Sequence, residues 1–349
     1  MLTITLQDLR FRTRQFVIAI VGAGLVFAMT LLLAGLAAGF GTEINETVQG
    51  MGATSWVVAG GSAGRIANLS PIAESAVPAV SHLPGVTRAD PVVVVPQALN
   101  AGHGAVSVTL IGYRPGGLGA PADVTGHAVV RNGEAVVDTA LGLRIGEHFA
   151  LSGHTFTVVG TVNNRTLLGG IGDAYVSLTD AQAVVFGGRP IIGAVLVTGT
   201  PRTAPPGYEL LSNSQIEKAS LAQMASAVSS IDNSRFFMWV IAAIIVAALV
   251  YVTALERTRD FAVLKAVGST TGRLFVGLAA QAVIVALVAA VAAAIVSNFM
   301  TGIFAQPVDI PASAYVALPL SALAVGLLAS LAALRRAASV DPSAAFAGA

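Results

Sequence analysis

The 349-residue chain contains no cysteine. That absence excludes disulfide staples, thiol nucleophiles and thiolate metal sites, and leaves the redox compartment open. Charge is scarce too: 11% of the residues are charged, the formal net charge is +1, and only Lys218 and Lys265 are lysine. The net charge is silent on nucleic acid, but no basic patch is interleaved with aromatics, so no nucleic-acid partner is expected. Neither lysine lies in the Gly-x4-Gly-Lys-Ser/Thr context of a Walker A loop, which removes that route to ATP hydrolysis from the chain itself. The histidines His82, His103, His127, His148 and His154 form no His-x3-His pair, so no zinc site is expected. No Gly-x-Ser-x-Gly elbow occurs, and the carboxylates are scattered without an acid–base pair. The stretch Gly169-Gly170-Ile171-Gly172 neither follows a strong strand nor opens a helix, and reads as a flexible loop rather than a phosphate cradle. No catalytic, metal or cofactor site is expected in this chain.

What is abundant is apolar surface. The composition is 55% hydrophobic and the mean hydropathy is +0.78, too apolar for one soluble domain. Four intervals carry no charged side chain: Gln15–Thr42, Phe236–Leu255, Leu274–Val308 and Ile310–Leu334. Each reaches the roughly 20 residues needed to cross about 30 Å of hydrocarbon. Membrane helices are expected at 16–39, 236–255, 274–298 and 313–334. The N-terminal basic residues and apolar run also describe a signal peptide, but the run is about twice the usual length, so an anchor is expected. The segments 1–15, 256–273 and 335–349 hold nine of the 19 basic residues, whereas loop 299–312 holds none. By the positive-inside rule both termini and the 256–273 turn are cytoplasmic. Residues 40–235 and 299–312 are then extracytoplasmic, on a multi-pass protein of a bacterial plasma membrane.

Residues 40–235 alternate short β-branched runs with Gly, Pro, Asn and Asp turns. Strands are expected at Trp56–Ala59, Val92–Val95, Ser107–Gly112, Ala135–Val137, His148–Leu151, Phe156–Val162, Tyr175–Ser177 and Ala194–Thr198. A tight Ser152-Gly153 turn joins the fifth and sixth. Helical pieces are expected at Pro71–His82, Thr179–Phe186 and Ser214–Ser230, the last leading into the second membrane helix. The reading is an α+β domain with two lobes, one a small β unit over about 124–200.

The segment Glu256–Gly268 places five charges in its first ten residues, directly after an apolar span. A charge in hydrocarbon costs roughly 2.5–3.5 kcal/mol even on lenient scales, so this turn lies in water. Read as a helix, it puts Phe261, Leu264 and Lys265 on one face, with Ala262 and Ala266 nearby, and turns Arg257, Arg259 and Asp260 outward. Such a helix either lies in lipid headgroups or seats its apolar knob in a groove on a partner; periodicity leaves both open.

Glu256-Arg257, followed by Asp260-Phe261-Ala262-Val263-Leu264-Lys265-Ala266-Val267-Gly268, resembles the signature of FtsX-like ABC transporter permeases of MacB and LolE type. The closing Val340-Asp341-Pro342-Ser343-Ala344-Ala345 is similar to that family's Asp/Ser-Pro-x-x-Ala. The stretch Gly133–Val162 and the order of one helix, a large domain and three helices match as well. Phe261 and Ala262 depart from the usual Ile and Gly. The resemblance implies a membrane α-helical fold of four transmembrane helices, with a large α+β extracytoplasmic domain between the first and second.

It further implies a permease that recruits a separate cytoplasmic ABC ATPase in two copies, which binds the ATP and Mg. Glu256, Arg257, Asp260, Phe261, Leu264, Lys265 and Gly268 would form the ATPase-coupling helix. Two permease chains would pair, as a homodimer or a paralogous heterodimer. Gly35-x3-Gly39, flanked by Ala34 and Ala38, offers a small-residue dimer face. Membrane lipid and an extracytoplasmic protein complete the expected partners. The implied function is ATP-driven export or extraction of an apolar or amphipathic substrate. The alternative is a mechanotransmitter that regulates an extracytoplasmic partner, such as a cell-wall hydrolase, without transport. A membrane-bound enzyme is disfavoured by the missing catalytic constellation.

Overall fold

The first apolar run forms one helix, α1 (Thr13–Gly50), in a computed structural model that describes residues 13–101, 104–256, 263, 270–303 and 308–338. At 1.5 Å per residue its 38 residues extend about 57 Å, beyond the roughly 30 Å of a hydrocarbon core. The chain then continues through β1 (Ser55–Ala59), β2 (Ile72–Ala73), α2 (Ala76–Ser81), β3 (Val86–Ala101), β4 (Gly104–Tyr113), β5 (Thr125–Gly126) and β6 (Glu134–Asp138). Next come β7 (His148–Leu151), β8 (His154–Val162), β9 (Thr166–Leu167), β10 (Ile171–Ser177), α3 (Leu178–Phe186), β11 (Ile191–Ile192), β12 (Ala194–Gly199) and β13 (Tyr208–Ser212). The last described elements are α4 (Asn213–Gln223), α5 (Ala225–Glu256), α6 (Thr271–Met300) and α7 (Ala312–Ala338). Four helices, α1, α5, α6 and α7, are long and apolar enough to cross a membrane. Two compact units result: a helical unit, residues up to 38 and from 227, and an α+β unit, Gly39–Ser226.

The helical unit packs on small side chains. Its core gathers Ala23 and Ala28 of α1, Ala242 and Ala254 of α5, Ala282, Ala286 and Ala289 of α6, and Ala322 and Ala329 of α7, around Phe27 and Leu318. In lipid, where apolar burial gives helices no preference for each other over acyl chains, close backbone approach is what holds them. At Gly326 a Cβ would fall 2.8 Å from Val283 Cα, so α6 and α7 meet backbone to backbone. Buried hydroxyls are satisfied within their own helices: Thr30 donates to the Val26 carbonyl at 2.9 Å and Thr253 to Leu249 at 2.9 Å.

The α+β unit is built on an eleven-stranded sheet in the order β13-β1-β12-β3-β4-β10-β6-β8-β5, with β7 paired to β3 and β8, and β9 to β10; β11 and β2 form a separate two-stranded sheet. Side chains alternate across it with period 2. Trp56 and Val58 enter the core that holds Ile44 and Val48 of α1, Met51 just after it and Ile216 of α4. Val57 enters the opposite core, with Val77 and Val80 of α2 and Leu178 and Ala181 of α3. The expected separate lobe over 124–200 does not form. β10 pairs with β4 in parallel and β12 lies between β1 and β3, so all the segment's strands but the short β11 are stitched into the common sheet. The Ser152-Gly153 hairpin is present, with φ of 47° and 85° at its two turn residues, and β13 is an added strand. The helical reading over Ser214–Ser230 is also corrected: Met224 interrupts it, separating α4 from α5.

Candidate functional site

Of the expected coupling residues, Glu256 closes α5 and accepts a 3.2 Å hydrogen bond from the Gln15 amide of α1. Arg257, Asp260, Phe261, Leu264, Lys265 and Gly268 lie outside the described residues. Val263 between them is helical, with an exposed side chain. Of the expected dimer-face residues, Gly35 lies close to a segment of the same chain. A Cβ there would meet Val308 Cγ1 at 2.6 Å and Ile310 Cγ1 at 2.7 Å, and the Gly35 carbonyl accepts from the Asp309 N–H at 3.2 Å. This small residue receives the chain's own 308–310 segment. Gly39 begins the α1 portion assigned to the α+β unit.

Among the described residues no group of three or more His, Cys, Asp or Glu is arranged to hold a metal ion. Two of the histidines make local contacts: His82 Nδ1 lies 2.6 Å from the Pro78 carbonyl and His148 Nδ1 lies 3.0 Å from Thr157 Oγ1.

The built polar site of the α+β unit surrounds the last two turns of α1. Three faces of this segment are engaged. Ile44, Val48 and Met51, at helical spacing, are 3%, 0% and 3% exposed in the sheet core. On a second face, Asn45 and Gln49 both donate to Glu217 of α4, at 3.1 and 2.9 Å. Asn213 of α4 donates to the Ala53 carbonyl at 2.8 Å and accepts from the Trp56 indole at 2.9 Å. On the third face sits Glu43, which is buried. One of its carboxylate oxygens accepts from the Thr166 hydroxyl at 2.6 Å and the Gly170 N–H at 2.7 Å; the other accepts from the Gly169 N–H at 2.9 Å.

The loop that receives Glu43 has φ of 58°, 86° and 88° at Leu168, Gly169 and Gly170. Two of the three positions are glycine because left-handed backbone penalises a Cβ. Successive backbone N–H groups converge in such a conformation to form an anion-holding concavity. Gly169-Gly170 is therefore a cradle after all, and its occupant is a carboxylate of the same chain. The same connection is fixed from below: Asp138 accepts from the Arg165 N–H at 2.6 Å and the Ala140 N–H at 2.7 Å. Behind it Asp173 is wholly buried on β10 and accepts from the Tyr175 hydroxyl at 3.3 Å. Burial pushes the Asp173 carboxyl well above the usual carboxylate range, and the nearby Asp138 and Glu43 carboxylates push the same way. Burial raises Asp138 as well, against its two N–H donors. These groups brace a loop and a helix end.

Comparison with known proteins follows the architecture. The FtsX-like permease C-terminal family model matches residues 235–342, the three helices after the α+β unit. The chain is similar over 50% of its length to the periplasmic region of MacB from Actinobacillus actinomycetemcomitans, covering 96% of that chain with TM-score 0.36 and 16% identity. It is also similar to the extracellular domain of the noncanonic ABC-type transporter YknZ from Gram-positive bacteria, with TM-score 0.32 and 16% identity over 49% and 91%. Uncharacterised ABC transporter permeases of Mycobacterium bovis and Mycobacterium tuberculosis are 39% identical over 348 residues, covering 100% of this chain and of each relative. A second Mycobacterium tuberculosis permease is 35% identical over the same span. With that identity sustained along the entire chain, the protein belongs to the FtsX-like family of ABC transporter permeases.

Proposed function

We propose that this permease transmits ATP-driven motion of a separate cytoplasmic ATPase to its α+β domain, held outside the plasma membrane, and thereby exports or extracts an apolar or amphipathic substrate. The observation that carries the reading is α1. One hydrogen-bonded helix supplies Phe27 and Leu31 to the helical core and Ile44 and Val48 to the sheet core. The apolar runs Gln15–Thr42, Phe236–Leu255, Leu274–Val308 and Ile310–Leu334 carry no charged side chain, which favours mechanical transmission over a polar path for ions or sugars. In this reading the segment after Glu256 docks on the ATPase, two ATPases close around ATP and Mg, and two permease chains pair above them. Both termini face the cytoplasm.

The test is reconstitution in lipid nanodiscs, with and without the cognate ATPase. The chain alone should show no ATP turnover. With the ATPase, turnover should appear, and trapping with ADP and vanadate should change hydrogen exchange in the α+β domain. Turnover by the chain alone, or a domain that exchanges identically in every nucleotide state, would overturn the proposal.

A further inference from the structure

The helix end is held by apolar packing on one side and hydrogen bonds on two others, and these are not equivalent. Ile44 and Val48 join a core shared by many strands. Glu43 makes three hydrogen bonds, all to the short connection Thr166–Gly170. One turn further on, Thr47 donates to the Thr166 carbonyl at 3.4 Å, and Arg165 reaches the Glu46 carbonyl at 3.4 Å. The connection leads directly into β10 through the β9–β10 pairing, Leu167 to Ile171 and Thr166 to Gly172. β10 lies inside the sheet, parallel to β4 and antiparallel to β6. The Asp173 N–H also bonds back to the Arg165 carbonyl at 2.9 Å.

We infer that Glu43 is a latch: a positioning residue that ties β10 to α1, so that movement of the helix is passed to the sheet interior through the Leu168–Gly170 cradle. The inference rests on the transmission reading above and names the side chain through which transmission passes. An acceptor-only carboxylate suits the place, because all three groups aimed at it are donors. Leu168 holds a left-handed conformation that a β-branched or bulky residue adopts at a cost, and the surrounding bonds must hold it there. Without the carboxylate the converging N–H groups lose their common acceptor, and the loop is released while the apolar face of α1 stays packed.

The test uses the full-length chain in complex with its ATPase in nanodiscs, comparing wild type with Glu43→Gln and Glu43→Ala. The Gln side chain keeps one acceptor oxygen and turns an N–H₂ toward a donor, so it breaks the cradle while preserving shape. Amide exchange at Gly169 and Gly170 should accelerate at least about tenfold in Glu43→Gln. ATP turnover should stay within about twofold of wild type, because the ATPase-docking segment is untouched. Vanadate trapping should alter exchange across Thr166–Ser177 in wild type and leave it unaltered in Glu43→Gln, a coupling loss that simple destabilisation would not produce at preserved turnover. Glu43→Ala should behave the same way or fail to fold; the Gln variant decides. A wild-type complex with no nucleotide-dependent change removes the transmission reading and the latch with it. A wild-type response that survives intact in Glu43→Gln, or unaccelerated exchange at both glycines, removes the latch alone.

Discussion

Replacing Asp173 by Asn should make this permease more stable at neutral pH and flatten its dependence on pH. Asp173 is completely buried, and burial holds its carboxyl well above the usual range, with Asp138 and Glu43 adding to the shift and the Tyr175 hydroxyl opposing it. The unfolded chain titrates an ordinary Asp near about 3.9. Between that value and the raised folded one, the folded state binds more protons than the unfolded state, so stability falls as pH rises. A single such group contributes a slope of up to about 1.4 kcal/mol per pH unit. Across pH 5 to 7 the loss from Asp173 is therefore at most about 2.7 kcal/mol. Asp138 is raised by burial too and contributes with the same sign. Asn fits the same space, still accepts from Tyr175, and has no proton to lose. Thermal unfolding of the full chain in detergent, followed from pH 5 to pH 7, should show the wild-type midpoint falling and the Asp173→Asn midpoint falling at most about half as steeply. For a unit of this size each kcal/mol moves the midpoint by about 2–4 °C, which is readily measured. Parallel slopes in the two proteins would refute the claim that a buried protonated Asp173 underlies the dependence.

The close approach of α6 and α7 predicts that Gly326→Ala lowers the thermal midpoint, because the added Cβ meets Val283 backbone at 2.8 and 3.0 Å and overpacking costs about 1–3 kcal/mol. Gly277→Ala on α6, where a Cβ meets nothing within 4 Å, should leave stability unchanged or raise it; equal effects at both positions would contradict the packing described. The absence of native cysteine makes topology directly testable. Single cysteines at Ser107 and Thr301 should react with an impermeant maleimide in intact cells and one at Ser269 should not, and labelling at Ser269 would reverse the orientation.

Much of the sheet was legible because its strands are short and alternate. Trp56-Val57-Val58 sends successive side chains to opposite cores, and His148–Leu151 has the expected bounds. β3 was legible only as Val92–Val95, since Pro91 and Pro96 read as boundaries. In the sheet both prolines lie within its 16 residues, opposite Val195 and Thr109. β13 was hidden behind Pro205-Pro206-Gly207, which reads as loop. The two-lobe reading failed because strand partners come from distant chain: β10 pairs with β4, and adjacency in sequence does not report it. The helix beyond Thr42 has a signal in the spacing of Ile44, Val48 and Met51, with no breaker from Glu43 to Gln49. The Glu43 cradle had none, because its partners lie 123 to 127 positions away.

The central claim is that motion enters this chain from a docked ATPase through the segment after Glu256. Phe261 and Leu264 share the apolar face read for that segment, and burying each in a partner groove is worth about 1.5–3 kcal/mol. With the ATPase co-expressed and the complex captured through the permease, Phe261→Ala combined with Leu264→Ala should reduce ATPase recovery at least about tenfold, at unchanged permease expression and membrane insertion. Full ATPase recovery with normal ATP turnover in the double variant would contradict the claim and leave the segment as a headgroup anchor.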